Sequence, residues 1–198
     1  MNAARLTIDI RSWWHPGSGR GGGAVVDATA HRDADGLPVL PGRHIKGLLR
    51  DALECAETWG WAGHEGLAQR LFGTRTEDAG GQPPQPGCLR VSDARLPQDI
   101  AAYLSGHEIG RGLIPGLFHS RFATAIDHDT GTALDHSLRG IEVVVPLQLE
   151  AQVQPVPGRA PQEGWDARLA EVLPLIRAVG AGRHRGLGRA ELALEVAA

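Results

Sequence analysis

Apolar and polar residues alternate over residues 4–12 (ARLTIDIRS), where Leu6, Ile8 and Ile10 interleave with Thr7, Asp9 and Arg11. A period of two over that length predicts a half-buried strand. The spacing becomes helical after Pro41 and Gly42, where Leu48, Leu49, Ala52 and Leu53 form one stripe; this predicts a helix from about His44 to near Gly60. Residues 67–72 predict a short second helix stopped by Gly73. The pattern over 97–116 is mixed, with Ile100, Ala101, Tyr103 and Leu104 suggesting one helical patch. Alternation returns over 141–153, with Pro146 favouring a strand edge or bulge. Trp165, Leu169, Val172, Leu173 and Ile176 predict a helix over 165–179, kinked at Pro174. A last strand over 189–196 alternates Ala190, Leu192, Leu194 and Val196 with Glu191, Ala193 and Glu195.

Between these elements the chain is rich in glycine and proline. PGSGRGGG follows Trp13, Trp14 and His15 and is too broken to continue the first strand. Its glycines either let backbone approach a ligand closely or leave the segment loose. The two tryptophans fit a base-stacking platform, or a pair in which one caps the core and the other covers the adjoining loop. Residues 74–87 are polar, proline- and glycine-rich, and read as an exposed loop.

Length and composition narrow the class. The 198 residues, 42% of them hydrophobic, suffice for one domain with a real core. Cys55 and Cys88 are too few for a thiolate zinc site, no apolar run is long enough to span a membrane, and with no signal peptide the chain reads as cytoplasmic. A net charge of -3 argues mildly against a freestanding nucleic-acid binder. Placement of charge matters more than its total. Lys46 is the only lysine, so the cations are almost all arginine, whose planar fork suits phosphate.

Two stretches concentrate those cations. Arg43, His44, Lys46 and Arg50 crowd the first turns of the helix after Pro41, where positive charge opposes the helix dipole unless an anion is present. A phosphate would resolve that conflict, as would plain solvation of the basic face. Near the other end, GAGRHRGLGRAEL interleaves Gly180, Gly182, Gly186 and Gly188 with Arg183, His184, Arg185 and Arg189 before a strand, a loop able to wrap phosphate with backbone and guanidinium together. Asp27, preceded by Val25 and Val26, taken alone would cap a turn. His15 and His31 are the nearest groups able to move a proton near neutrality. Asp127, His128, Asp129, Asp135 and His136 invite a metal reading, but their spacing matches no compact metal motif.

PVLPGRHIKGLLRDAL resembles the signature of the RAMP superfamily, the RNA-binding proteins of CRISPR effector complexes, and the arginine-glycine segment resembles that family's glycine-rich loop. The likeness is strongest to the repeated backbone subunit of type III interference complexes. In that subgroup an aspartate precedes a basic residue by five positions and a second aspartate by six; Asp27, Arg32 and Asp33 keep that spacing, and Gly36, Leu37, Pro38, Pro41, Gly42, Lys46, Gly47 and Arg50 continue in register. CLRVSDA resembles a family strand, which implies a strand over 88–92 and leaves Asp93 to cap a turn. AIDHDTGTALDHSLRGIE resembles the family's projecting thumb-like hairpin, with His128 where arginine is usual.

The resemblance implies an α+β fold, a ferredoxin-like or RRM-like βαββαβ core in one domain over 1–198, with a thumb-like hairpin inserted at 117–141 and a glycine-rich loop. It implies a guide-RNA-binding backbone subunit working with other copies of itself or related subunits. Arg43, His44, Lys46, Arg50, Gly182, Arg183, His184, Arg185, Gly186, Gly188, Arg189 and His128 would contact RNA. Asp27 would be the catalytic residue of a metal-dependent endoribonuclease that cuts complementary target RNA, holding magnesium (Mg2+) or another divalent cation. The ribose 2′-OH would then attack, with a cation offsetting the extra phosphate charge. Three alternatives remain at this stage: a purely structural RNA-binding backbone subunit, a guide-RNA-processing endonuclease using His15 or His31, and an unrelated enzyme acting on a small phosphate ligand.

Overall fold

The computed structural model describes residues 3–23, 26–75, 77 and 80–196. Ala24 and Val25 in the glycine run, and Thr76, Asp78 and Ala79 in the 74–87 loop, lie outside the described residues.

Strand β1 (Ala4–Ile10) is central because every second side chain is apolar: Ala4, Leu6, Ile8 and Ile10 are all buried, while Arg5, Thr7 and Asp9 face the other way. It pairs antiparallel with β5 (Leu147–Pro155) on one side and β6 (Ala190–Val196) on the other, with Ile8 opposite Leu149 and Leu192. The short strand β2 (Leu89–Val91) closes the far edge of β5, giving the order β2-β5-β1-β6. Helices α1 (Gly42–Thr58) and α5 (Trp165–Val172) occupy the two crossover positions, so the core is a ferredoxin-like βαββαβ unit.

The periodicity of α1 explains what holds it down. Ile45, Leu48, Leu49, Ala52, Leu53 and Ala56 recur at three- and four-residue steps, are buried, and belong to the same core as the inward side chains of β1. Truncating Leu49 or Leu53, both fully enclosed, costs about 2–5 kcal/mol. Helix α2 (Leu67–Phe72) adds Leu67, Leu71 and Phe72 to that core, and α5 adds Trp165, Leu169 and Val172.

The opposite sheet face is ionic. Arg5 bridges Glu195 at 2.6 Å and Glu150 at 3.9 Å, and Arg11 bridges Glu191 at 2.6 Å and Asp9 at 3.1 Å. No aromatic residue stands on β1, β2, β5 or β6, so the stacking used by RRM-type sheets has no platform here.

Three expectations from the sequence change. The strand expected over 141–153 is two strands in different sheets: β4 (Arg139–Val144) ends before Pro146 and β5 starts after it. Proline lacks the N–H a continuing ladder would need, and the chain turns from one sheet into the other at that point. The helix expected over 165–179 stops at Val172 and tightens into a single 3-10 turn around Pro174, because proline removes the next intrahelical donor. The mixed region 97–116 holds two helices, α3 (Gln98–Gly106) and α4 (Glu108–Leu113), broken at His107, which is extended. Strand β3 (Phe118–Ala123) and β4 form a two-stranded antiparallel hairpin, and Phe122 on it and Ile126, Leu134 and Leu138 in its connection are exposed. No helix among the described residues is long and apolar enough to cross a membrane.

Candidate nucleic-acid interface

The first turn of α1 is shaped by a residue far away in sequence. Pro41 occupies the N-cap and supplies no side-chain acceptor; instead Asp93, following β2, accepts the Gly42 N–H at 2.8 Å. Gly42 is required sterically, since a Cβ there would lie 2.4 Å from the Val91 carbonyl oxygen. One carboxylate thus already answers the helix dipole. Beside it Arg43 is exposed and Lys46 half-exposed. Arg50 is different: its guanidinium donates to Glu54 at 2.7 Å, and the same Glu54 also pairs with Arg75, so Arg50 belongs to an ion-pair cluster on the helix flank.

The glycine-rich loop reaches this helix directly. Gly180 N–H donates to His44 Nε2 at 2.9 Å, and Gly180, Ala181 and His44 share a cleft of about 330 Å³ with Pro16, Pro41 and Arg43. The Arg183–Arg185 turn is flanked by Gly182 and Gly186, both left-handed, and leaves Arg183, His184 and Arg185 exposed. Its base is anchored by Gly188, which donates to the Trp13 carbonyl at 2.7 Å and accepts from Val179 N–H at 2.8 Å. Arg189 is exposed, with its backbone N–H on Ser12 Oγ. A second shallow cleft of about 310 Å³ sets Arg177, Arg183 and His184 against Asp51 and Cys55 of α1. Arg177 was not singled out by the sequence; it lies outside the glycine-arginine alternation that marked the loop.

The segment from Gly17 to Ala30 folds back on itself, with Ser18 N–H on Thr29 O at 3.2 Å, Thr29 N–H on Arg20 O at 3.0 Å and Gly22 N–H on Val26 O at 2.7 Å. Among its glycines, Gly17 bridges Ala30 and Gly22 pairs with Val26. On the return arm Asp27 meets the foot of the β3–β4 hairpin. Asp27 N–H donates to Gly140 O at 2.7 Å, and Gly140 N–H donates back to Asp27 Oδ2 at 2.7 Å. Ala28 then makes an isolated parallel bridge to Ile141 of β4. Asp27 is exposed, and among the described residues no donor bonds its other oxygen, Oδ1.

Glu142 organises what surrounds that arm. It accepts from Ala30 N–H at 2.9 Å and Arg32 Nη2 at 2.5 Å, and its own carbonyl takes the His15 Nδ1 proton at 2.6 Å. Arg32 also lies 3.5 Å above the Phe118 ring. Asp33 shapes the acidic turn: Oδ1 accepts from the N–H groups of Asp35 and Leu37, and Oδ2 pairs with Arg95 at 3.1 Å. Of the two aspartates spaced six apart, Asp33 has both oxygens bonded, whereas Asp27 has a donor among the described residues on Oδ2 alone. His15 is buried and held by a carbonyl, whereas His31 lines an open cavity of about 520 Å³ with Arg20, Thr29, Arg32 and Glu142. Trp14 is fully enclosed with its indole N–H on Val145 O at 3.0 Å, and Trp13 packs edge-on to His119.

On the hairpin, Asp127 caps the tip: it accepts from the N–H groups of Asp129 and Thr130, and those bonds hold its carboxyl below the usual carboxylate range. His128 is exposed beside it. Among the described residues no group of three His, Cys, Asp or Glu is placed so as to hold a metal ion by itself. Asp27 Oδ1 could serve as one ligand. That arrangement fits magnesium, which commonly binds one or two carboxylates and takes its remaining ligands from water and substrate phosphates.

The family model for the RAMP superfamily matches residues 7–191. Similar solved structures include a chain of the Type III-B Cmr-beta complex bound to cognate target RNA, with a TM-score of 0.72 and 13% identity, covering 98% of this chain and 97% of that one. A chain of the Type III-B Cmr-beta complex in its apo state gives a TM-score of 0.69 at 14% identity with the same coverage. No curated protein sequence matches.

Proposed function

The chain belongs to the RAMP superfamily, and from that premise we propose that it is a backbone subunit of a type III CRISPR effector complex that binds guide RNA and cleaves complementary target RNA at Asp27 with a divalent cation. The observation that supports cleavage most directly is the reciprocal pair of bonds between Asp27 and Gly140, which fixes one carboxylate at the root of the hairpin with its second oxygen turned away from that bond. The likeness to a chain of a complex bound to target RNA supports the RNA-binding half.

In this reading Arg43, Lys46, Arg183, Arg185 and Arg189 hold the guide backbone by charge and hydrogen bonding. His184 and the backbone of Gly182, Gly186 and Gly188 line the same loop, and His128 contacts RNA from the hairpin. Asp27, with Oδ2 on Gly140, would hold the cation through Oδ1. A bound magnesium ion supplies Lewis-acid stabilisation of charge on the scissile phosphate. The ribose 2′-O attacks phosphorus as its proton leaves to solvent, and the P–O5′ bond breaks with the 5′-oxygen taking a proton from solvent, giving a 2′,3′-cyclic phosphate and a 5′-hydroxyl. Target RNA, other copies of this chain and related subunits complete the assembly.

A second reading is favoured by the same bond: Asp27 already caps Gly140, so the residue could serve the fold alone and the subunit be a structural one. Asp27→Asn separates the two, because the amide oxygen still accepts from Gly140 while the charge is lost. In the reconstituted complex, with a labelled complementary RNA and magnesium, the variant should assemble and bind RNA as the native protein does while cutting at least about a hundredfold more slowly. Equal cutting by both proteins, or none by either with binding intact, would leave the structural reading in its place.

A further inference from the structure

One hydrogen bond joins the start of α1 to the glycine-rich loop, and its polarity dictates the protonation state of His44. Gly180 N–H is the donor and His44 Nε2 the acceptor, 2.9 Å apart. A ring nitrogen that accepts carries no proton, so the bond forms only with the neutral imidazole whose proton is on Nδ1. Gly180 has little freedom to turn its N–H elsewhere. Its φ is +78°, a Cβ there would sit 2.7 Å from the His15 carbonyl oxygen, and that same carbonyl accepts from Ala181 N–H at 2.8 Å.

The surroundings of the ring oppose a charge on it. Arg183 opposes it from the loop, while Asp51, on α1, pulls the other way; Arg43 lines the same cleft as the ring. From the 14–17 segment the nearby titratable group is His15, whose Nδ1 is bound to the Glu142 carbonyl. Burial, and then the charge of Arg183, hold the pKa of His44 below the ordinary histidine value. The folded state therefore binds fewer protons at this site than the unfolded chain. Its contribution is complete above the unfolded value, about 6.5, and is lost as pH falls from there through the folded value.

We propose that His44 is a positioning residue of the RNA-holding loop: neutral, it anchors Gly180 and the arginine turn beyond it; protonated, it releases them, so that acidification weakens RNA binding. The functional half of this rests on the RNA-binding reading above, and the dependence of the anchor on the proton does not. A histidine that touched phosphate as a cation would show the opposite sign, gaining affinity toward acid.

The test uses the full chain and a generic single-stranded RNA from about pH 8 to about pH 5, with hydrogen exchange of the Gly180 amide followed in the absence of RNA. Native protein is compared with His44→Gln, whose amide oxygen accepts a hydrogen bond without titrating, and with His44→Leu, which has no acceptor. The Gly180 amide of the native protein should lose protection as His44 titrates, and native RNA affinity should fall roughly fivefold relative to His44→Gln across the range, the worth of one such bond. His44→Leu should bind weakly at every pH while still giving a cooperative melting transition. Gly180 protection that ignores the titration of His44, or native affinity that rises toward acid relative to His44→Gln, overturns the proposal. Protection that responds as expected in a protein that binds RNA at no pH leaves the anchor standing and overturns the RNA-binding reading.

Discussion

Among the glycines whose surroundings are described, Gly188 is the position where a single methyl group would do most damage. Its φ is +72°, and an added Cβ would fall 1.8 Å from the carbonyl oxygen of Val179, the residue whose N–H closes the glycine-rich loop on the Gly188 carbonyl. Gly186, with nearly the same φ of +78°, has open space around it. Gly186→Ala should therefore cost only the left-handed backbone penalty, about 1–2 kcal/mol, and lower the melting midpoint by a few degrees. Gly188→Ala must displace backbone and should lower it several times further or prevent the folded protein from accumulating; equal midpoints in a thermal melt would contradict the steric account. Asp93 makes a milder case. Its carboxylate is the side-chain acceptor for the first N–H of α1, so Asp93→Ala should cost about 1 kcal/mol in urea unfolding.

At the level of elements, the hairpin and the core are built for different ends. Phe118 and Val144 at the foot of the hairpin join the hydrophobic core, whereas the tip from 124 to 138 adds no side chain to it. Replacing residues 124–138 by a two-residue Asn-Gly turn should leave thermal stability nearly unchanged, since that turn suits two antiparallel strands. If the hairpin contacts RNA as proposed, the truncated subunit should still assemble on guide RNA, and gel analysis should find its cutting of complementary RNA altered or lost. The Asp27 segment is the complement of this design. It takes β4 as its backbone partner, so the carboxylate is bonded to the hairpin foot.

Across the whole molecule, a net charge of -3 coexists with a cationic margin because the acids are placed elsewhere. Asp9, Glu150, Glu191 and Glu195 neutralise Arg5 and Arg11 on the open sheet face, and Glu54 and Asp51 hold Arg50 and Arg75 on the flank of α1. Replacing Arg183 or Arg185 by alanine should flatten the logarithmic salt dependence of RNA binding by roughly 0.7 per contact, while Arg50→Ala should leave the slope as it was. A titration over salt concentration decides between them. The sequence by itself determined the order and period of most elements, the core face of β1 and of α1, the two glycine-bearing motifs and the family resemblance, because these depend on neighbours within a turn or a pleat. It could not reveal that Pro146 divides two sheets, that Arg50 is paired on its own helix flank, or that Trp14 is interior. Nor could it join Asp27 to Gly140, His44 to Gly180 or Asp93 to Gly42, pairs 113, 136 and 51 positions apart. Those bonds are formed by atoms that periodicity leaves unassigned, and only the packing of β1 between β5 and β6, which sets where each loop emerges, brings them within reach.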